Sequence, residues 1–143
     1  MSNTCDIDIA VLDQFKNLRF RKSKSNAALV LKIDAKALMV VEDIVLDDIT
    51  MEDLASELPE TSPRYVILSY ENRHGDGRTS YPLIGVFYCP EASSDQSRML
   101  YASAKSYVFQ KADIGGKVYD LSDSEDLNDA WVTGQLKGAS IRP

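Results

Sequence analysis

The residue type most often used as a general base, histidine, occurs once among 143 residues, at His74. It sits in His74-Gly75-Asp76-Gly77, where the Asp76 carboxylate could orient an imidazole, and Cys89 is the downstream thiol such a base could activate. The spacing defeats that chemistry. At about 3.4 Å per residue, a strand running from Arg78 carries Cys89 tens of ångströms from the turn. His74 therefore reads as a solvated turn residue. Gly75 and Gly77 lie between two strand-like stretches, whereas phosphate loops sit between a strand and a helix. Cys5 and Cys89 are too few for a disulfide framework or a zinc site, and no Cys-x-x-Cys exists. The acidic run Glu42, Asp43, Asp47, Asp48, Glu52, Asp53, Glu57 and Glu60 lacks calcium-loop spacing and reads as a solvated face. We expect neither a catalytic site, a metal nor a cofactor, and binding becomes the default function.

The residues suited to binding form two groups. Arg19, Arg21, Lys22 and Lys24 are clustered, and Arg19 and Arg21 alternate with Phe20, which puts both guanidinium groups on one side of an extended segment. They serve solubility or pair with a partner's carboxylates. The second group, Arg98, Met99, Ala102, Lys105, Ser106 and Phe109, shares one face of a helix predicted from Ser93 to Asp113. Either Met99 and Phe109 widen the buried stripe, or this outer face lodges in a partner's groove.

That helix is bounded by Ser93, Ser94 and Asp95 as caps and by Gly115-Gly116 as a stop, and its core stripe reads Leu100, Ala104, Tyr107, Val108 and Lys111. Before it, Asp6 or Asp8 caps a short helix carrying Ile9, Val11, Leu12, Phe15 and Leu18. Asn26 to Asp34 and Leu38 to Val45 read as a hairpin, and Thr50 to Asp53 is a capping box opening a helix that Pro59 ends. Arg64 to Arg73 and Arg78 to Cys89 read as one long hairpin, with Pro82 marking an edge or bulge. Lys117 to Leu121 is a short strand reached through a crossover and so parallel to a neighbour. Ser122 or Ser124 caps a last helix with Leu127, Trp131 and Leu136 facing in, frayed by Gly134 and Gly138. The expected class is α+β, a mixed, mostly antiparallel sheet flanked by helices, in one domain spanning 1–143.

Composition excludes other classes. A net charge of −6 argues against a general nucleic-acid binder, which needs a basic excess. Hydrophobic residues at 44% and charged residues at 27% match soluble globular domains, and no apolar run approaches the roughly 20 residues of a membrane span. The start Met1 to Asp6 lacks the regions of a signal peptide, so a cytoplasmic setting is expected.

Met99-Leu-Tyr-Ala-Ser103, followed by Lys105, resembles the long-helix signature of the actin-depolymerising factor homology fold, the cofilin fold. Cys5 to Asp8, Leu18 to Lys22, Asn26 to Ala28, Glu57 to Glu60, Pro63-Arg64 and Asp76 to Leu83 resemble the glia maturation factor family within it, over about Cys5 to Lys137. The resemblance implies a non-enzymatic regulator of branched actin networks. Such a protein binds the actin-related protein 2/3 complex, inhibits its nucleation and promotes dissociation of branches, as a monomer in cortical networks such as actin patches. It implies a first binding site of Cys5, Gln96, Arg98, Met99, Ala102, Ser103 and Lys105, with Met99 anchored in the barbed-end cleft of an actin-related subunit and Arg98 at its mouth. A second, weaker site draws on Arg73, His74, Asp76, Arg78, Asp123, Glu125 and Asp126, with Arg19 and Arg21 joining one of the two. Cofilins carry a basic residue where this chain has Gln96, which implies that actin itself is the weaker partner. The alternative is a cofilin-type protein that binds and depolymerises actin. Ser2 is present, but without the cofilin phosphorylation motif around it.

Overall fold

The structure, a computed structural model, describes residues 5–22 and 24–141, with side chains described as far as 136; Ser2 lies outside these. Its elements are β1 (Asp6–Ile7), α1 (Ile9–Arg19), β2 (Ala27–Asp34), β3 (Met39–Asp47), α2 (Met51–Glu57), β4 (Arg64–Ser69), β5 (Asn72–Arg73), β6 (Thr79–Ser80), β7 (Leu83–Tyr88), α3 (Asp95–Ala112), β8 (Val118–Leu121) and α4 (Asp129–Ile141). The main sheet has the order β1-β3-β2-β4-β7-β8. Its inner pairs are antiparallel, and both edges, β1 on β3 and β8 on β7, are parallel. The expected mixed α+β class is the observed one.

Helices cover both faces, which is why the central strands read as nearly continuous apolar runs. Leu29, Leu31, Tyr65, Ile67 and Phe87 point to one face and meet Val11 and Phe15 of α1 with Tyr101, Ala104 and Val108 of α3. Val30, Val66, Leu68, Ile84 and Val86 point to the other and meet Met51 and Leu54 of α2 with Val132 of α4. The capping box at Thr50 is present, with Asp53 N donating to Thr50 Oγ1 at 3.0 Å and Thr50 N to Asp53 Oδ2 at 3.1 Å.

Register gives the molecule two distinct ends. The β2–β3 turn, Arg64, Tyr88 and the start of α3 lie at one; Ala27, Asp47, Ser69, Leu83 and the end of α3 lie at the other. Helices α1 and α3 run side by side in the same direction. Asp8 N donates to Val40 O and Ile33 N to Tyr101 Oη at the first end, and Arg19 Nη1 donates to Ala112 O at the second.

Several expectations need correction. The long hairpin is broken: β5 and β6 form a separate two-stranded tip, joined to the main sheet by a Tyr70 N to Pro82 O bond of 3.1 Å. Proline has no amide to continue the ladder, so Pro82 interrupts the whole hairpin rather than one edge. The core stripe of α3 is Tyr101, Ala104, Val108, Phe109 and Ala112, while Leu100 and Tyr107 are half-buried and Lys111 is exposed. Small alanines let the helix approach the sheet, and Tyr101 is buried because its hydroxyl accepts from Ile33 N at 2.9 Å. Asp113, with φ of 58°, ends α3 before the glycines are reached. Asn128, not a serine, caps α4 by accepting from Trp131 N at 2.8 Å; Leu127 precedes the helix, which runs through Gly134 and Gly138. Asp6 belongs to β1, and Ile9 is exposed.

Burial pushes the Tyr65, Tyr70 and Tyr88 phenols above the usual value near 10. The Cys5 thiol and Tyr101 add to the effect at Tyr65, and a hydrogen bond to Asp129 adds at Tyr70. The folded state thus holds these protons more tightly than the unfolded chain, and this stability is intact below pH about 10 and lost as pH rises beyond it. In an alkaline titration, the phenolate absorbance of these three is expected to grow only together with loss of helical circular dichroism. Their ionisation with the fold intact would contradict the burial argument.

Candidate functional site

The N-terminal half of α3 presents the surface best suited to a partner. Ser94 caps the helix, accepting from Ser97 N at 3.1 Å, and sets the rotation of the turns that follow. Met99 then projects outward at 73% exposure, whereas Phe109, assigned from sequence to the same face, is 5% exposed and packs edge-on against Tyr65. The two readings of this face therefore divide between its two apolar residues: Phe109 is core and Met99 is surface. Ala102 and Ser103 beside Met99 are exposed, as is Gln96 one turn earlier. Ser103 Oγ donates to Leu100 O at 2.6 Å and so keeps its hydroxyl on its own helix.

Neither cation of this face projects freely. Arg98 folds back on the loop before the helix, its Nε donating to Ser93 O at 3.3 Å and its Nη2 to Pro90 O at 3.4 Å and to Glu91 O. Lys105 Nζ lies 3.0 Å from Asp120 Oδ1 and 5.0 Å from the Phe87 ring centroid. Cys5 is at the same end of the molecule but 1% exposed, and its burial, with the Asp6 charge, pushes the thiol up. Its side chain is part of the core beneath β1 and α1. What remains outward is a small neutral patch with one large apolar side chain, the chemistry of a helix that fills a groove.

The model of the cofilin/tropomyosin-type actin-binding family matches residues 4–137. A glia maturation factor of Drosophila melanogaster is 41% identical over 133 residues, covering 93% of this chain and 96% of that one. Human glia maturation factor beta is 37% identical over 132 residues, 92% of each. The solution structure of glia maturation factor from Caenorhabditis elegans superposes with a TM-score of 0.79 at 32% identity, over 94% of this chain and 98% of that one. The chain belongs to the glia maturation factor family. It is an actin-regulating protein of the actin-depolymerising factor homology fold, a family of binding regulators rather than enzymes.

The second surface expected of a glia maturation factor is divided by this structure. Arg73, His74, Asp76 and Arg78 occupy the β5–β6 tip at the end of the sheet where β4 finishes. Asp123, Glu125 and Asp126 lie at the opposite end, beyond β8, around a groove of about 510 Å³ shared with Pro90 and Glu91. They neighbour the start of α3, not the tip. The resemblance implied one surface, but the 3-10 turn that Asp123 caps holds these acids at the Tyr88 end. At the tip, the exposed Arg73 and Arg78 pair with Glu71 at 2.9 Å and Asp76 at 2.7 Å, and His74 Nε2 lies 2.8 Å from Ser80 Oγ. Bonds from the Arg78 amide and guanidinium hold the Asp76 carboxyl below its usual range.

Arg19 does not lie on an extended segment. It is the last residue of α1 and donates to Ala112 O at 3.2 Å, while Arg21 pairs with Asp47 at 2.5 Å and donates to Ser25 O. Both tie α1 to its neighbours at the tip end, so a partner would meet them as half-buried, already bonded groups. Sequence reasoning missed Asp120. Its signal was the alternation in Val118-Tyr-Asp-Leu121, which places a lone carboxylate on the strand face that α3 covers.

Proposed function

We propose that this glia maturation factor family member binds the actin-related protein 2/3 complex through α3, inhibits its nucleation of branches and promotes their dissociation. The observation that carries the reading is Met99, a large apolar side chain left exposed at the centre of a neutral helix face. Seated in the barbed-end cleft of an actin-related subunit, it fills an apolar pocket while Ala102 and Ser103 allow close approach. By binding one arrangement of the complex better than the other, the protein shifts the complex away from the state that holds a daughter filament. Family membership and the neutral Gln96 support this partner over actin. The protein acts as a monomer in the cytoplasm, at cortical branched networks, and the β5–β6 tip makes the secondary contact.

The cofilin-type alternative requires Arg98 and Lys105 to meet an acidic groove, and both are engaged within the chain. Binding of the pure protein to the complex and to actin monomer in parallel separates the readings. Tighter binding to the complex, with faster loss of branches under the microscope, is the expected result. Tighter binding to actin would replace it with the cofilin reading.

A further inference from the structure

Lys105 is held twice over. Its ammonium group meets the Asp120 carboxylate at 3.0 Å and lies over the Phe87 ring at 5.0 Å, leaving the side chain 33% exposed. Swinging outward would break both contacts. Asp120 is 77% exposed and has no other polar partner among the described residues, so the fold gains little from it. Its place on β8 nonetheless puts a negative charge at the flank of the helix face that carries Met99 and Ala102.

We propose that Asp120 is a specificity determinant of the α3 surface. It keeps Lys105 against β7, so that the helix presents a neutral face centred on Met99, and it adds a carboxylate that an acidic cleft would repel. Arg98, spent on the carbonyls of Pro90, Glu91 and Ser93, reinforces the effect. The surface fits a cleft with an apolar floor and an uncharged or basic rim and disfavours one with an acidic rim. This inference rests on the proposed function, in which actin is the weaker partner because its groove is acidic.

The test compares wild type, Asp120→Asn, Lys105→Gln and the double variant for binding to actin monomer and to the branching complex, at low and at physiological ionic strength. Asp120→Asn is expected to strengthen actin binding about two- to fivefold, most at low salt, with at least half of that gain lost when Lys105→Gln is added. Lys105→Gln alone is expected to weaken actin binding slightly, about twofold at low salt, because it leaves the Asp120 carboxylate uncompensated beside the acidic cleft. An Asp120→Asn variant that melts like wild type but binds actin no better would overturn the inference, as would a gain that persists undiminished in the double variant. Wild-type failure to bind the branching complex would instead sink the proposed function, and the actin measurements would still decide the role of Asp120.

Discussion

Replacing Met99 with aspartate is expected to weaken binding to the actin-related protein 2/3 complex at least ~100-fold while leaving the melting temperature close to that of wild type. Two costs combine in the complex. Losing a buried apolar anchor removes about 2 kcal/mol or more, and forcing a carboxylate into the same dry pocket adds a desolvation penalty of similar size. Neither cost arises in the free protein, because Met99 is 73% exposed and touches little of the core. Surface changes of this kind shift stability by about 0.5 kcal/mol at most. Calorimetric titration beside a thermal melt reads both quantities. Undiminished affinity with an intact fold would remove α3 from the interface. The preferred partner variant is Met99 alone, since Arg98→Ala would also release the 90–93 loop and confuse lost contact with lost structure.

The largest stability effect is expected from Gly85→Ala, although alanine adds a single methyl. A Cβ at this position would stand 2.6 Å from two carbons of the Phe109 ring and 2.7 Å from Ile114 Cδ1. The Ile114 methyl can rotate away. The ring cannot, because Tyr65 lies edge-on to it at 5.8 Å and is itself stacked with Phe87 and tilted against Tyr101. Overpacking of a rigid aromatic cluster costs about 3 kcal/mol, which lowers the melting temperature by about 6–12 °C in a domain of this size. Adding Phe109→Leu should recover part of the loss, and denaturant unfolding of the single and double variants tests both statements. A neutral Gly85→Ala would mean that the helix rides higher on the sheet than the structure places it.

Gly85 also marks where sequence reading stops. The α+β class, the first hairpin, the capping box at Thr50 and the parallel strand at Val118–Leu121 were legible because each is specified by nearby residues. The rotation of α3 about its axis was not. Leu100 is more apolar than Ala104 or Ala112, so counting apolar residues favoured a stripe through Leu100, but depth is decided by which side chains let a helix approach a sheet. That depends on a glycine in a different strand. The candidate site shows the same division. Met99 was legible as a candidate for an outward-facing position, and it is exposed, whereas the engagement of Arg98 by three carbonyls and of Lys105 by Asp120 depends on loops and strands meeting in space. The resemblance grouped Asp123, Glu125 and Asp126 with the tip residues, whereas in space they share a groove with Pro90 and Glu91.

The break between the main sheet and the β5–β6 tip has an evolutionary reading. The tip hangs from the sheet by the Tyr70–Pro82 bond, by the Asn26 side chain accepting from Glu71 N at 2.7 Å, and by Tyr70 Oη on Asp129 at 2.8 Å, all at its base. Beyond them, nothing from Arg73 to Arg78 is needed to fill the core. Lengthening a loop costs only about 0.6 kcal/mol per doubling. The tip is thus an interchangeable cassette: a change in its length or charge, and with it in the proposed secondary contact, leaves intact the sheet that presents the long helix.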